Sequence, residues 1–472
     1  MNPLEWARRR AGGGVPLRPL DALRGAVTEA DAVQRSGLSP AWLSGIASFY
    51  DHLDDEGAAM VCTGTACAFA GPCTHARVAP RPVACLGRCH EAPYDAHSTP
   101  ARIPYRALVQ KPVVLRGLLD SNDPLREYDL PDGATILEVM RASGLRGRGG
   151  AAYPTGAKWA TARATPAPER FVVANGDEGD PGAFVDRLLL EEAPHCVLAG
   201  MLACARAIGA GRGIVYVRSE YPRAVDRVNR AITEAKAAGK LEGFHVEVLR
   251  GAGSYVAGEE TALLRSIEGL RAEPQVKPPY PAERGLHGLP TIVQNVETLA
   301  VAPWVVAHGA RADTKAICLS GAIARPGVVE IALGTRLRDV LQRGGGGPLP
   351  QRPWKMALIG GPMGRVLRED EFDVPLAYDA LPGLGHGGIV LLDHRVGARA
   401  LAEHLFGFAA RESCGACAPC RIGCAQLPSR RTPESFERLL RTIESGSLCG
   451  FGQGVPRPLR DLVRAFPEEM FP

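Results

Sequence analysis

The spacing of apolar residues changes several times along this chain, and each change marks a different part. From Leu20 to about Leu53 the spacing is short and helical, ending in Ile46-Ala47-Ser48-Phe49-Tyr50. A cysteine-rich segment runs from Val61 to Pro93, with strand-like Met60-Val61 and Val83-Ala84 feeding its two cysteine pairs. The Pro-rich stretch His97–Gly133 predicts an extended linker with short strands such as Val113-Val114-Leu115. From Thr135 onward the pattern is α/β. Apolar runs at Phe171–Ala174, Gly213–Val217 and Val246–Leu249 predict strands, each followed by a Gly-rich or acidic turn. Between them Ala224, Val225, Val228, Ala231 and Ile232 recur at helical spacing, which predicts a helix packed on the sheet. Near Ala316 hairpin signals begin, in Ile317–Gly321 and Pro326–Ile331, and the helix-like Arg336–Gln342 follows. They predict a small α+β unit reaching about Leu392. The remainder reads as helices interrupted by a second cysteine group.

Length and composition narrow the class. A chain of 472 residues needs more than one core, so three or four domains are expected. With 46% hydrophobic and 22% charged residues it reads as globular and soluble. A net charge of +4 from scattered basic residues gives no case for nucleic acid. No run of about 18 apolar residues is present, so no membrane span is expected. Arg8-Arg9-Arg10 is followed by no apolar stretch, which argues against a secretory signal. The 13 cysteines fall in two tight groups near the ends, with Cys196, Cys204 and Cys318 isolated between them. That distribution points to metal sites rather than a disulfide framework, and to packed thiols for the isolated three.

Three loops carry the candidate chemistry of the α/β region. Gly144-Leu145-Arg146-Gly147-Arg148-Gly149-Gly150 precedes Tyr153-Pro154-Thr155-Gly156-Ala157-Lys158-Trp159. Consecutive glycines let backbone N–H groups converge on an anion; a helix capped by Thr155 would add its dipole, and Lys158 a full charge. A phosphate cradle and a flexible turn both fit, since the run matches neither the dinucleotide fingerprint nor the Walker pattern. After the strand Phe171–Ala174 comes Asn175-Gly176-Asp177-Glu178-Gly179-Asp180-Pro181-Gly182, where open α/β sheets bind ligands. It could meet ribose, flavin or nicotinamide groups, or be a solvated turn or a hard-metal site. The third loop, Gly251 to Thr261, includes Gly258-Glu259-Glu260 and is otherwise a helix N-terminus with favourable acids.

In order along the chain, Gly-Arg-Gly-Gly with Lys158-Trp159, Asn175 with Asp177-Glu178, Gly258-Glu259-Glu260-Thr261, Lys277-Pro278-Pro279-Tyr280 and Asn295-Val296-Glu297-Thr298 resemble one family. It is the NADH-binding flavoprotein subunit of respiratory complex I, with its relatives in NAD-dependent formate dehydrogenases and soluble hydrogenases. The likeness runs from about Ile136 to the C-terminus. It implies an α/β multidomain chain: a helical segment with a thioredoxin-like [2Fe–2S]-type domain (1–120) and a Rossmann-like FMN- and NAD(H)-binding domain (121–312). A small β-grasp-like domain (313–395) and a helical [4Fe–4S] domain (396–472) would follow. It also implies that Gly147, Arg148, Gly149 and Lys158 hold the FMN phosphate and ribityl chain. Asn175, Asp177, Glu178, Gly258, Glu259, Glu260, Asn295 and Thr298 would line the flavin and nicotinamide. Tyr153 and Tyr280 would stack on adenine beside Lys277, and Glu178 and Asp180 would act as orienting acceptors in catalysis. Four positions depart from the family pattern. Ala152 replaces a usual glycine, Thr161 an aromatic, Gln294 the first of two asparagines, and Asp180 a longer glutamate.

The C-terminal run Cys414-Gly-Ala-Cys417-Ala-Pro-Cys420, completed by Cys449, suits a [4Fe–4S] cubane better than the paired spacing usual for zinc, and leaves Cys424 as a spare thiol. Cys62, Cys67, Cys85 and Cys89, with Phe49-Tyr50 and Leu86-Gly87-Arg88, resemble the [2Fe–2S] subunit that partners this flavoprotein, here fused and trimmed to residues 68–84 between the pairs. Cys73 and His75 lie in that trimmed loop, and zinc or a purely structural domain remains open there. The implied activity is reversible hydride transfer between NAD(H) and FMN. Single electrons would pass to iron-sulfur and catalytic partner subunits in a cytoplasmic complex, a molybdenum or tungsten formate dehydrogenase being the preferred setting. Hydrogenase and complex I settings follow, and a non-catalytic or zinc-binding scaffold is the alternative of another class.

Overall fold

The structure, a computed structural model, describes residues 18–24, 26, 28–53, 60–71, 81–94, 101–120 and 123–471. Cys73 and His75 lie outside the described residues. The first unit has three short helices, Pro19–Arg24, Glu29–Ser36 and Pro40–Ala47, ahead of β1 (Met60–Cys62), the helix Thr65–Ala70 and β2 (Arg81–Val83). β1 and β2 pair in parallel with Cys62 opposite Val83, so the strand ends deliver both cysteine pairs to one edge.

The central sheet is parallel throughout, in the order β6-β5-β4-β7: β4 (Phe171–Gly176), β5 (Arg212–Val217), β6 (His245–Arg250) and β7 (Thr291–Asn295). β4 is almost wholly buried, as a strand covered on both faces by helices must be. The helices Pro194–Ile208, Pro222–Ala237 and Val296–His308 cover one face of the sheet, and Glu260–Ile267 covers the other. Register sets Asn175 beside both Tyr216 and Asn295. The carboxyl ends of β4 and β7 therefore open side by side, where the strand order reverses and α/β sheets bind ligands.

The third unit is a mixed sheet in the order β11-β10-β12-β8-β9-β3, built from β8 (Thr314–Gly321), β9 (Gly327–Ala332), β10 (Trp354–Ile359), β11 (Arg365–Arg368) and β12 (Gly388–Asp393). Its edge strand β3 (Tyr105–Ala107) corrects the sequence reading. Residues placed in the first unit pair in parallel with residues 328–330 of the third. Val113-Val114-Leu115 is not a strand. Its three backbone N–H groups converge on the buried Glu330 carboxylate at 2.7–3.0 Å, and the linker is thereby pinned to the sheet.

The last unit is helical: Ala398–Glu412, Ala418–Gln426, Pro433–Gly446, Gly450–Gly454, Pro456–Ala465 and Pro467–Met470. No single helix among the described residues is long and apolar enough to cross a membrane. The bent pair 185–192 and 194–208 has the length and composition, but it is the buried core of the central unit.

Candidate functional site

All three loops foreseen in the sequence meet at the carboxyl edge of the parallel sheet. The glycine loop is closed as a narrow turn by Gly147 N–H to Tyr153 O and Thr155 N–H to Leu145 O, both 2.8 Å. A Cβ on Gly147 would find its nearest neighbour outside the loop's own chain neighbours at 3.5 Å, so the chain's packing does not demand a glycine there. The bare backbone is explained by a ligand that must come close. Gly149 lies instead against the Asn295 side chain, 3.0 Å from where its Cβ would be. Ala152 sits at φ 51°, a left-handed conformation costing an alanine about 1 kcal/mol, which is why a glycine is usual there.

Two side chains of this loop differ from expectation. Arg148 is buried and turned away from the open face. Its guanidinium bonds to Glu297 Oε1 (3.0 Å) and to the carbonyls of Ala312 and Thr314, while its backbone N–H donates to Thr298 Oγ1 at 2.9 Å. Thr155 does not cap the following helix: Pro154 holds the cap position without a side-chain bond, and the buried Thr155 hydroxyl has no partner. With the Thr155 N–H taken by Leu145 O, the next N–H groups of that helix, on Gly156 and Ala157, are left for a ligand. Lys158 Nζ reaches Glu260 Oε2 (2.7 Å) and Val293 O (2.8 Å).

In the acidic loop, Asn175 Nδ2 donates to Gly258 O at 2.9 Å and its Oδ1 accepts from Asp177 N–H at 3.1 Å, which ties the loop to the third one. Asp177 is 9% exposed and its Oδ2 has no partner. Burial pushes its pKa up to about 8, with Glu220 and Glu412 pushing the same way and Arg218 opposing. Glu178 and Asp180, expected as orienting acceptors, accept here from groups of the protein itself. Glu178 caps the helix Val185–Glu192, accepting from Asp186 and Arg187 N–H at 3.1 Å each, and burial raises its pKa. Asp180 has both oxygens engaged, one by the Tyr255 hydroxyl and one by His386 Nδ1 at 3.1 Å. Although burial opposes it, the Asp180 carboxylate holds His386 up to about 9, with Asp186 and Glu178 adding to the pull.

The third loop ends in Glu259, whose Oε2 caps the helix Glu260–Ile267 through Thr261 and Ala262 N–H. Its other oxygen accepts from Lys277 Nζ at 2.9 Å, and Lys277 also reaches Glu260 at 3.3 Å. Burial works against ionisation of Glu260, but Lys158 and Lys277 outweigh it and hold its pKa below the usual carboxylate range. A chain of alternating charge, Lys158–Glu260–Lys277–Glu259, thus follows the rim. Tyr153 and Tyr280 stand more than half exposed, at 56% and 54%, free to stack on a flat ring. Asn295 and Thr298 work from behind: Asn295 Nδ2 donates to Asp186 Oδ2 (2.6 Å) and its Oδ1 caps the helix at Thr298. Sequence reasoning missed Asp186, Tyr255 and His386, which have no motif spacing to reveal them. It read Gln294 only as a departure, yet its buried Oε1 lacks a partner and its Nε2 lies 3.8 Å from the space beside Gly147.

These observations fit a flavin mononucleotide: an N–H-lined anion cradle, a glycine face that a side chain would fill, and the unpartnered oxygens of Asp177 and Gln294. The C-terminal thiols fit a cluster equally well. Cys417 and Cys449 occupy the N-cap positions of the helices 418–426 and 450–454, Cys420 lies one turn into the first, and Gly415 at φ 81° makes the turn from Cys414. Cys424 is buried against Cys420. At the N-terminal group all four thiols are buried, and Cys85 Sγ lies 3.5 Å from Cys89 Sγ. Backbone N–H groups of Leu86, Gly87 and Gly182 point at Cys62, Cys85 and Cys89. Amide N–H donors around thiolates are what an iron-sulfur cluster, or a zinc ion held by four cysteines, requires.

Comparison with known proteins follows the same division. A Nuo51 FMN-binding domain model matches residues 140–304, an SLBB domain model 316–367, and an NADH-ubiquinone oxidoreductase-F iron-sulfur binding region model 400–471. The second F-type subunit of the NADH-quinone oxidoreductases of Rhizobium meliloti is 38% identical over 378 residues, 73% of this chain and 89% of that protein. The NADP-reducing hydrogenase subunit HndC of Solidesulfovibrio fructosivorans is 38% identical over 369 residues, 71% of this chain and 75% of that protein. A chain of an NAD+-reducing [NiFe]-hydrogenase crystal structure, in the air-oxidised state, superposes with TM-score 0.84 at 30% identity. That match covers 98% of this chain and 94% of the other.

Proposed function

Since this chain belongs to the family of F-type flavoprotein subunits of NADH-quinone oxidoreductases and their hydrogenase counterparts, we propose which of its residues perform the family's chemistry and in what setting. The chain is an NAD(H)-linked oxidoreductase subunit whose cofactors are FMN, NAD(H) and a [4Fe–4S] cluster. FMN supplies the ability to take two electrons as a hydride and release them singly.

The protein's share is positioning. Gly147, Gly149, the free N–H groups at the start of helix Thr155–Ala164 and Lys158 hold the phosphate end. The incoming phosphate shares Lys158 with Glu260. Arg148, Asn295 and Thr298 act one layer back: they lock the glycine loop to the helix Val296–His308 and do not touch the flavin through their charged or polar ends. Asp177, Gln294 and Gly258 face the ring system. Glu178 and Asp180 hold the acidic loop in place rather than act on substrate. Tyr153 and Tyr280 receive the adenine, and Lys277 with Glu259 borders the nucleotide. Cys414, Cys417, Cys420 and Cys449 carry the [4Fe–4S] cluster. Cys62, Cys67, Cys85 and Cys89 carry a [2Fe–2S] cluster.

The observation that carries this reading is the glycine face at Gly147, open where the chain's own packing has no use for it. Partner subunits complete the electron path in a cytoplasmic complex. An NAD-dependent formate dehydrogenase is the setting favoured by the run Gly179-Asp180-Pro181-Gly182-Ala183-Phe184 and the fused first unit. A hydrogenase setting is the second reading, supported by the likeness that extends over 98% of the chain. Anaerobic addition of NADH should bleach a bound flavin and bring up the EPR signals of two distinct reduced clusters. A colourless protein, or one indifferent to NADH after FMN is supplied, refutes the reading. Formate- against hydrogen-dependent NAD+ reduction by the co-purified complex separates the two settings.

A further inference from the structure

Behind the acidic loop, where the first unit meets the central one, lies a small polar cavity. Asp51, His52, Asp177, Arg218, Glu220 and Glu412 line it, and its volume is about 20 Å³. One water molecule needs ~10–15 Å³ and several polar partners, so the cavity suits water. Its roof is built in. Asp51 N–H donates to Gly253 O (3.0 Å) and His52 N–H to Ala252 O (2.8 Å), and a Cβ on Gly253 would strike the His52 ring.

Asp177 forms the wall toward the flavin side, with Oδ2 buried and unpartnered. A carboxyl oxygen left so requires a proton or a water. At the other wall His52 Nε2 lies 3.6 Å from Glu220 Oε1, and Glu220 is paired with Arg218. Asp51, next to His52, is exposed to solvent. The charged groups facing Asp177 are Arg218, Glu220 and Glu412, and the phenols of Tyr50, Tyr216 and Tyr255 feel its charge. Arg218, with the His52 ring beside Glu220, is the counter-charge to three carboxylates at this depth, and burial raises both Asp177 and Glu412. Glu220 remains ionised beside Arg218, whereas burial raises Asp177 to about 8, within reach of both protonation states near neutrality.

We propose that Asp177 is the proton-transfer residue of this site and exchanges protons with solvent through cavity water, by way of His52, which Glu220 orients. The inference rests on the reading that the flavin lies against the acidic loop. NADH delivers a hydride, which is two electrons and one proton. The neutral, fully reduced flavin needs one proton more, and the Asp177 O–H bond breaks to supply it. The resulting carboxylate recovers a proton from solvent through the cavity. When the two electrons leave singly for the cluster, two protons leave by the same path, so the turnover balances as NADH giving NAD+, two electrons and one net proton.

The test is Asp177→Asn in the FMN- and cluster-loaded protein, beside His52→Gln and Ser254→Val, two further cavity-lining positions with no assigned part in holding the flavin. The readouts are reduced-minus-oxidised infrared difference spectra in H2O and D2O, and the rate of flavin reduction by NADH against pH. The wild type should show a protonated-carboxyl band that shifts in D2O. The Asn variant should keep its flavin and its bleached end point but lose the band. Its reduction rate should fall by about a hundredfold, the general acid–base range, with a flattened pH profile. The cavity variants should keep the band and slow its exchange into D2O. Persistence of the band in the Asn variant, or a pH profile parallel to the wild type, overturns the proposal. Should the Asn variant lose its flavin, wild-type exchange and rate in both cavity variants overturn it, and slowed exchange supports it. A wild type that binds no flavin sinks the underlying reading instead, which is a different result from a flavin that reduces without any carboxyl signal.

Discussion

The two four-cysteine sites at opposite ends of this chain are built on opposite plans. At the C-terminal site three of the four thiols are partly exposed, and helices of the same unit present them. Exposed Ile422 and Leu448 flank the ligands Cys420 and Cys449. At the N-terminal site every thiol is buried, although the described sheet of that unit has only two strands. Its walls are borrowed from the central unit. Gly182 donates to Cys89, Arg187 to the carbonyls of Leu86 and Gly87, and Arg218 to that of Cys85, while Gly87 lies so near Tyr221 that a Cβ would collide with its ring. The hydrogen bond with Cys62, and then burial, push the Cys85 thiol up to about 12 against the pull of Cys89, so a metal bound there would have to displace protons from an almost dry site. One site is presented by helices of its own unit, with Arg271 of the central unit donating to Cys414 O at 3.5 Å, and opens outward; the other is walled by the central unit.

Four changes probe that contrast, from the largest effect to the smallest. Cys449→Ser should abolish the C-terminal cluster signal and cut NADH-driven reduction of a one-electron acceptor by more than the ~10–100-fold that an outer-layer change costs. Flavin bleaching and N-terminal iron should persist; their loss would show the sites are not independent. Arg187→Met removes one of the two cations that span the seam and leaves Glu191, which Arg187 holds at 2.8 Å, with only the more distant Arg223 at 3.7 Å. A loss of up to about 3 kcal/mol in stability is expected, with N-terminal metal lost and C-terminal metal retained. Equal loss at both ends would erase the distinction.

The third change acts on pH. His386 has its folded pKa raised from 6.5 to about 9, so the stability from its pair with Asp180 is fully present below pH 6.5 and disappears as pH rises through 9. The contribution is on the order of 3 kcal/mol. Urea midpoints should fall across that window and lose the slope in His386→Gln, with both metal contents unchanged. Gly147→Ala is the mildest. It should weaken FMN binding by about 1–3 kcal/mol and move the stability of the flavin-free protein by no more than ~0.5 kcal/mol, leaving both cysteine sites whole.

The sequence displayed unequal parts of this design. Strands 171–176, 212–217 and 245–250 were legible because buried parallel strands are continuous apolar runs between turn residues. The loops were legible because glycine and acid clusters mark strand ends. The direction of a side chain was not. Arg148, Glu178, Asp180 and Asn295 carry the groups a cofactor site would use, yet the fold commits them to internal pairs whose partners lie in distant segments. Asp186, His386 and Tyr255 have no local pattern that announces them. β3 escaped for the same reason, since three residues in a Pro-rich stretch become a strand only through a partner more than 200 positions away.

That edge strand has a consequence for how the chain can be divided. Protein engineers wishing to remove the first unit would cut near residue 120, where the Pro-rich linker gives way to the central unit. Such a cut takes away the border of the third sheet and leaves the Glu330 carboxylate, buried and stripped of three donors, facing nothing. A cut near residue 101 spares both. The chain is stitched rather than strung: a thread from its beginning is sewn into its third section, and the seam must come away with the cloth.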